Sequence, residues 1–257
     1  MITFIVRVLT DIPLAGAPLS RMNPDSAVHL ESNIPDDELN ECSDTILPSA
    51  SPSMIKTYLP RTTGLILFNP TFLSFKRSTE VLSALISSLP WQCKDIKMFG
   101  KDVKEPRLTV WMGDSSASYK YSGVLLQPTP WTPLVISLKE QIEAETGARF
   151  NSVLCNYYRD GNDYMGYHSD DEKELGPNSI IASLSIGAER RFIFKAREGV
   201  KTPRNLKAGD KRSFEYKLSS GSLLVMAGAT QKFWKHSIPK QRGVTGRINL
   251  TFRLINK

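Results

Sequence analysis

The chain has three histidines, at positions 29, 168 and 236. His168-Ser169-Asp170 sets an imidazole and a carboxylate two residues apart. On an extended segment the two project to the same side and can chelate one ion. His236 comes later, in Trp234-Lys235-His236, just beyond a β-rich stretch. Two histidines and one carboxylate make the facial triad of non-haem Fe(II) oxygenases, which leaves positions open for cosubstrate and O2. H-x-D alone is weak, since about 6% of histidines meet an Asp at that offset by average composition. For a lone H-x-D a hydrogen-bonded structural histidine is the better reading. The combination weighs more, because Arg253 follows on a polar strand face, and its planar fork can hold a carboxylate through two parallel bonds. A dicarboxylate cosubstrate chelating the metal at one end needs such a grip, which Arg253 is expected to supply at the end remote from the metal.

Short strands are needed to hold these side chains. Ser152–Tyr158, Ile180–Ile186, Arg191–Lys195, Ser213–Leu218, Ser222–Met226 and Arg247–Ile255 are rich in β-formers and separated by turn residues. Gly64–Phe68 and Arg107–Trp111 add two more candidates. Ser78–Leu89 reads as a helix capped by Ser78 and stopped by Pro90. Trp131–Thr146 reads as a second, starting after Pro130 and ending at Gly147. The expected fold is mostly β with flanking helices (α+β), a double-stranded β-helix or jelly roll with helices on one side. In the last strand Arg247, Asn249, Thr251 and Arg253 share one face, and Ile248, Leu250, Phe252 and Leu254 the other. That pattern fits an edge strand with a solvated polar face, or a barrel strand whose polar face lines a ligand cavity.

Residues 10–56 are rich in Pro, Ser, Asn and Asp and hold no helix or strand period, so 1–56 is expected to be a disordered or loosely ordered extension. Residues 57–257 form the expected domain. The net charge is +7, unevenly spread: residues 1–56 hold three basic and eight acidic residues, the rest 30 and 18. A basic body of net +12 suits a polyanion, although a solvated lysine-rich surface would look the same. The three cysteines, Cys42, Cys93 and Cys155, form no C-x-x-C pair, which argues against a disulfide framework or zinc finger and for a reducing compartment. No apolar run approaches the ~20 residues that span a bilayer, and Met1–Leu9 lacks the basic start of a signal peptide, so no membrane association is expected.

Asn156-Tyr157-Tyr158-Arg159-Asp160-Gly161, His168-Ser169-Asp170-Asp171-Glu172, His236 and Arg247-Ile248-Asn249-Leu250-Thr251-Phe252-Arg253 together resemble the AlkB family of Fe(II)/2-oxoglutarate-dependent nucleic-acid demethylases. Within it the second and third mammalian homologue types are nearest, over roughly residues 96–254. Glu105-Pro106-Arg107-Leu108-Thr109-Val110-Trp111 leans toward the third type, and Met98-Phe99-Gly100 toward the second.

The resemblance implies that His168, Asp170 and His236 bind Fe(II), and that Asn156, Tyr158, Arg247, Asn249, Thr251 and Arg253 surround 2-oxoglutarate, with O2 the oxidant. It implies a nucleotide-recognition part over about 90–150 and a jelly-roll core over about 151–257. Tyr121, with Tyr119 beside it, would stack on a flipped base; His168 would cover the other face, and Glu172, next to Asp171, would accept from its exocyclic amine. The second type carries Phe where Tyr121 stands, and a tyrosine keeps the π-face. Phe99 would be a wedge filling the gap a flipped base leaves, the alternative being core packing beside Trp91. The activity implied is oxidative demethylation of 1-methyladenine and 3-methylcytosine type lesions in DNA, single-stranded or duplex, by a nuclear monomer. RNA, or a nuclear and cytoplasmic distribution, is the alternative. Thr3-Phe4-Ile5-Val6-Arg7 looks like a degraded sliding-clamp-binding motif. A different 2-oxoglutarate dioxygenase and a binding protein with a dead site are the competing readings.

Overall fold

The computed structural model describes residues 53–98, 101–117, 119–121, 124–201, 207 and 209–256, with backbone only at 96–98, 101–102, 119–121 and 124–126. His29, Cys42 and the clamp-like residues 3–7 lie outside these, as does Phe99.

Two sheets carry the site. The larger has seven antiparallel strands: β1 (Ile55–Tyr58), β2 (Leu65–Asn69), β5 (Leu108–Gly113), β8 (Ser152–Tyr158), β10 (Ile181–Gly187), β13 (Leu223–Ala227) and β15 (Arg247–Arg253), in the order β1-β2-β13-β10-β15-β8-β5. The smaller orders β12 (Ser213–Leu218), β11 (Arg190–Ala196), β14 (Trp234–Ile238) and β9 (Met165–His168). Two hairpins, β3 (Asp95–Met98) with β4 (Lys101–Lys104) and β6 (Tyr119–Tyr121) with β7 (Val124–Leu126), stand apart from both sheets.

Strand alternation decides what each face meets. Val153, Cys155, Ala182, Leu184, Ile248, Leu250 and Phe252 are buried in one core, with Val81 and Leu85 of α1 (Phe75–Ser88) and Leu138 and Ile142 of α2 (Pro133–Thr146). Tyr158, Ile181, Leu224 and Met226, one residue out of phase, join Phe192, Phe194, Trp234 and Ile238 of the smaller sheet in a second core between the sheets. β15 is thus central, between β10 and β8, and its polar face is buried: Arg247, Asn249 and Thr251 are each 7% exposed or less. The solvated-edge reading does not describe it: the polar face turns into the interior, with Arg253 reaching a cleft at its end. The mostly antiparallel β architecture with helices on one side is the jelly-roll arrangement expected.

The helix starts differ from expectation. α1 is capped by Ser74, whose hydroxyl accepts from Arg77 N, while Ser78 lies buried inside the helix and donates to the Phe75 carbonyl. The apolar period marks only the buried face, which starts at Ser78, so the exposed first turn was invisible to it. α2 begins at Pro133 with Thr132 as its cap, and Gly147 closes it at φ 68°, a left-handed turn that suits glycine. β1 begins at Ile55, two residues before the expected domain start, and pairs with β2.

Candidate active site

Asp170 lies two residues beyond His168 at the end of β9, and His236 lies on the neighbouring β14 directly opposite His168. One ligand atom from each of the three falls within 4.8 Å of the others. The imidazole rings meet edge-on at 4.3 Å, and His168 Nε2 is 3.7 Å from Asp170 Oδ1. His168 Nδ1 is 3.0 Å from the Gly166 carbonyl, which can only accept, so the proton belongs on Nδ1 and the Nε2 lone pair is left for an ion. Phe192 stacks on the His236 ring at 5.1 Å and fixes its orientation.

The electrostatics suit a divalent cation. Burial pushes His236 down to about 3, helped by nearby His168 and Arg253, so it stays a neutral imidazole able to ligate. Burial alone would raise Asp170, but Arg253 and the two histidines outweigh it and hold the carboxyl well below the usual range. A neutral histidine and an ionised carboxylate aimed at one point are what a hard-to-borderline cation requires. Within the chain, the pattern of the 2OG-Fe(II) oxygenase superfamily matches residues 65–253.

The chain belongs to the 2OG-Fe(II) oxygenase superfamily. It is 41% identical to the rat alpha-ketoglutarate-dependent dioxygenase alkB homolog 3 over 193 residues, 72% of this chain and 62% of that protein. It is also 41% identical to the human DNA oxidative demethylase ALKBH2 over 162 residues, 62% of this chain and 60% of that protein. Both likenesses support an AlkB-family member, although the chain spans only about three fifths of these relatives' lengths. A solved structure titled as that of OsALKBH1 superposes with a TM-score of 0.50 at 17% identity, covering 73% of this chain and 97% of that one, a likeness of fold alone. Members of this superfamily use Fe(II), 2-oxoglutarate and O2, and the His168, Asp170, His236 triad fits the metal.

The six residues expected around the cosubstrate converge. Register pairs Arg247 with Tyr158, Asn249 with Asn156 and Arg253 with Ser152, all on the inner face of β15 and β8. Asn249 donates to Ser183 Oγ and the Leu184 carbonyl, and its own Oδ1 accepts from Thr251. Arg253 stands at the triad end, not the remote end: its Nη2 is 3.0 Å from Asp170 Oδ1. Arg247, at the other end of the strand, is a buried guanidinium beside the Tyr158 ring. One nitrogen donates to Ser185 Oγ, while Nε and Nη1 are buried with no hydrogen-bond partner. A buried cation so placed asks for an anion.

The base-facing set divides. Glu172 lines an open cleft with Trp111, Leu154 and Arg253. Partial desolvation raises its carboxyl, aided by Asp170 and Asp171 and opposed by Arg253. Asp171 turns to Arg197, with an ion pair of 2.7 Å, and does not line the cleft. Tyr119 and Tyr121 lie on β6, their side chains outside the described residues.

Three supporting residues were not foreseen. Gln231 accepts from Asp170 N through Oε1 at 3.0 Å, fixing the backbone that carries the ligand. Arg107 donates to Asn156 Oδ1 at 2.7 Å and so orients that amide. Arg190 is wholly buried among backbone carbonyls. No local spacing signals any of them, because each partner lies far along the chain.

Proposed function

We propose that this chain demethylates N-alkylated bases of the 1-methyladenine and 3-methylcytosine type in DNA, a direct repair reaction. The observation that carries this reading is the His168, Asp170 and His236 cluster, with Glu172 two residues beyond Asp170 on the cleft that Arg253 also lines. A methylated base of this type is cationic and cannot pair normally, so it is cheaper to extrude than an intact one, and a carboxylate at the rim favours its charge. The relative named as a DNA oxidative demethylase supports DNA as the substrate, and the one named as an alkB homolog 3 dioxygenase supports the reaction class.

His168, Asp170 and His236 would hold Fe(II). Bound there with 2-oxoglutarate, Fe(II) supplies an oxidation in which one atom of O2 enters an alkyl C–H bond and the other enters succinate as CO2 leaves. The hydroxyalkyl base then releases an aldehyde. Arg247, with Tyr158 across the strand pair, takes the cosubstrate's far carboxylate, and Arg253 holds Asp170 in its ligating orientation. Tyr119 and Tyr121 stack on the extruded base. Phe99 serves as the duplex wedge. The chain acts as a nuclear monomer, with residues 3–7 as a sliding-clamp contact.

The test is one oligonucleotide sequence carrying 3-methylcytosine, offered as single-stranded DNA, duplex DNA and RNA. DNA turnover exceeding RNA turnover is expected. Turnover confined to RNA would replace the DNA reading, and turnover of none would remove the base-demethylation reading.

A further inference from the structure

We infer that Arg190 is a positioning residue for the cosubstrate's far carboxylate, acting through the ring of Tyr158. The inference rests on the assignment of that carboxylate to Arg247. Arg190 opens β11, is 0% exposed, and follows Glu172 by 18 residues with no spacing that a motif could read. Its guanidinium donates to three carbonyls: Asp160 at 3.2 Å, Asp163 at 2.8 Å and Pro239 at 2.7 Å. It therefore ties the loop after β8 to the turn after β14, the two strands that carry Tyr158 and His236.

The same guanidinium lies 5.6 Å from the centroid of the Tyr158 ring, and Arg247 lies 5.3 Å from that centroid. One aromatic ring is thus flanked by two buried cations. Neither cation has a carboxylate partner among the described residues, since Arg190 meets carbonyls and Arg247 meets Ser185 Oγ. The nearby Asp163 is held by Arg159 through paired bonds of 2.8 and 2.9 Å, and its own carboxylate faces that arginine. Two buried cations beside one ring are costly in a dry interior, offset in part by Asp160 and Asp163 at Arg190 and by Tyr158 at Arg247. Burial, with Arg190 nearby, pushes Arg247 down to about 10 against the opposing effect of Tyr158, so an anion arriving at Arg247 would offset the cost.

Arg190 cannot easily yield, because its fork is fixed by three carbonyls. It holds the Tyr158 ring against Arg247 and so sets where the unused Nε and Nη1 donors of Arg247 point. A bracing group of this kind changes affinity for the ligand while leaving distant binding alone.

The measurement is 2-oxoglutarate binding, read as a ligand-induced thermal shift and by calorimetry with Mn(II) as a redox-inert metal, alongside the KM values for 2-oxoglutarate and for a methylated oligonucleotide. Arg190→Lys should weaken 2-oxoglutarate binding about tenfold or more, in the range typical of lost outer supporting partners, with Mn(II) and oligonucleotide binding unchanged. In a Tyr158→Leu background the same change should add less than about twofold, because the ring that transmits it is gone. Arg190→Lys binding 2-oxoglutarate as the parent does, or an undiminished loss in the Tyr158→Leu background, overturns the inference. Should Arg190→Lys not fold, Tyr158→Phe against Tyr158→Leu decides: the ring-retaining variant must bind 2-oxoglutarate more tightly, and equal binding overturns the inference. Arg247→Lys separates the layers. If it weakens 2-oxoglutarate while Arg190→Lys does not, only the role of Arg190 falls; if it too is without effect, the carboxylate assignment falls.

Discussion

At the scale of single residues, two arginines on one strand face have different tasks. Arg253 Nη2 is bonded to the Asp170 carboxylate, whereas Arg247 holds two buried, unpartnered donors at the other end of β15. Replacing either by lysine keeps a charge and removes the planar fork. Arg247→Lys should raise the 2-oxoglutarate KM about tenfold, the size of one lost charge-assisted hydrogen bond, with little change in metal affinity. Arg253→Lys should weaken metal binding first, because Asp170 loses the partner that orients it. Titrating Mn(II) and 2-oxoglutarate separately into both variants checks this, and the opposite assignment of effects would reverse the two roles. The spacing of His168 and Asp170 made the metal pair legible, since a period of two is a local property of a strand. Which arginine faces which end was not, because that depends on how the loop carrying Asp170 folds back toward β15.

At the scale of elements, the alternation of Arg247–Arg253 disclosed a two-faced strand, but not that both faces are buried. That follows from its central place in the sheet, with helices on one side and the smaller sheet on the other. Arg190, Gln231 and Arg107 escaped notice for the same reason: their partners are brought together only by the closed sandwich. The glycine in Arg159-Asp160-Gly161 also acquires its reason there, since a Cβ at Gly161 would run into the Gln241 carbonyl of the β14–β15 connection. α2 is anchored by Glu143, which accepts from Phe150 N at 2.8 Å and from Lys139 and Arg149 at 3.1 Å each. Burial would raise this carboxyl, but the Phe150 N–H and the two cations prevail and lower it. A carboxyl lowered on folding stabilises the protein above its unfolded pKa, and that contribution is lost as pH falls through the folded value. Glu143→Gln should therefore cost about 1–3 kcal/mol at neutral pH, mostly from the Phe150 bond, since Arg149 is largely exposed. The gap to the parent should close as the solution is acidified from about pH 4.5 downward. Urea unfolding of both proteins across that range checks it, and a gap independent of pH would contradict it.

At the scale of the whole molecule, residues 57–257 carry a surplus of twelve positive charges, and their superfamily pattern extends over most of that span. A basic body suits an anionic polymer, in keeping with the proposed substrate, whose phosphates would meet the surface while the damaged base would meet Glu172. The central claim joins metal, cosubstrate and base in one reaction. It is tested most directly by incubating the full chain with Fe(II), 2-oxoglutarate, O2 and a 3-methylcytosine oligodeoxynucleotide, and measuring succinate, formaldehyde and restored cytosine together, for the parent and for Asp170→Ala. The account predicts that the three products rise in equal amounts with the parent and that none forms with the folded Asp170→Ala protein. Cytosine restored without succinate, succinate formed without restored cytosine, or full activity in Asp170→Ala would contradict it.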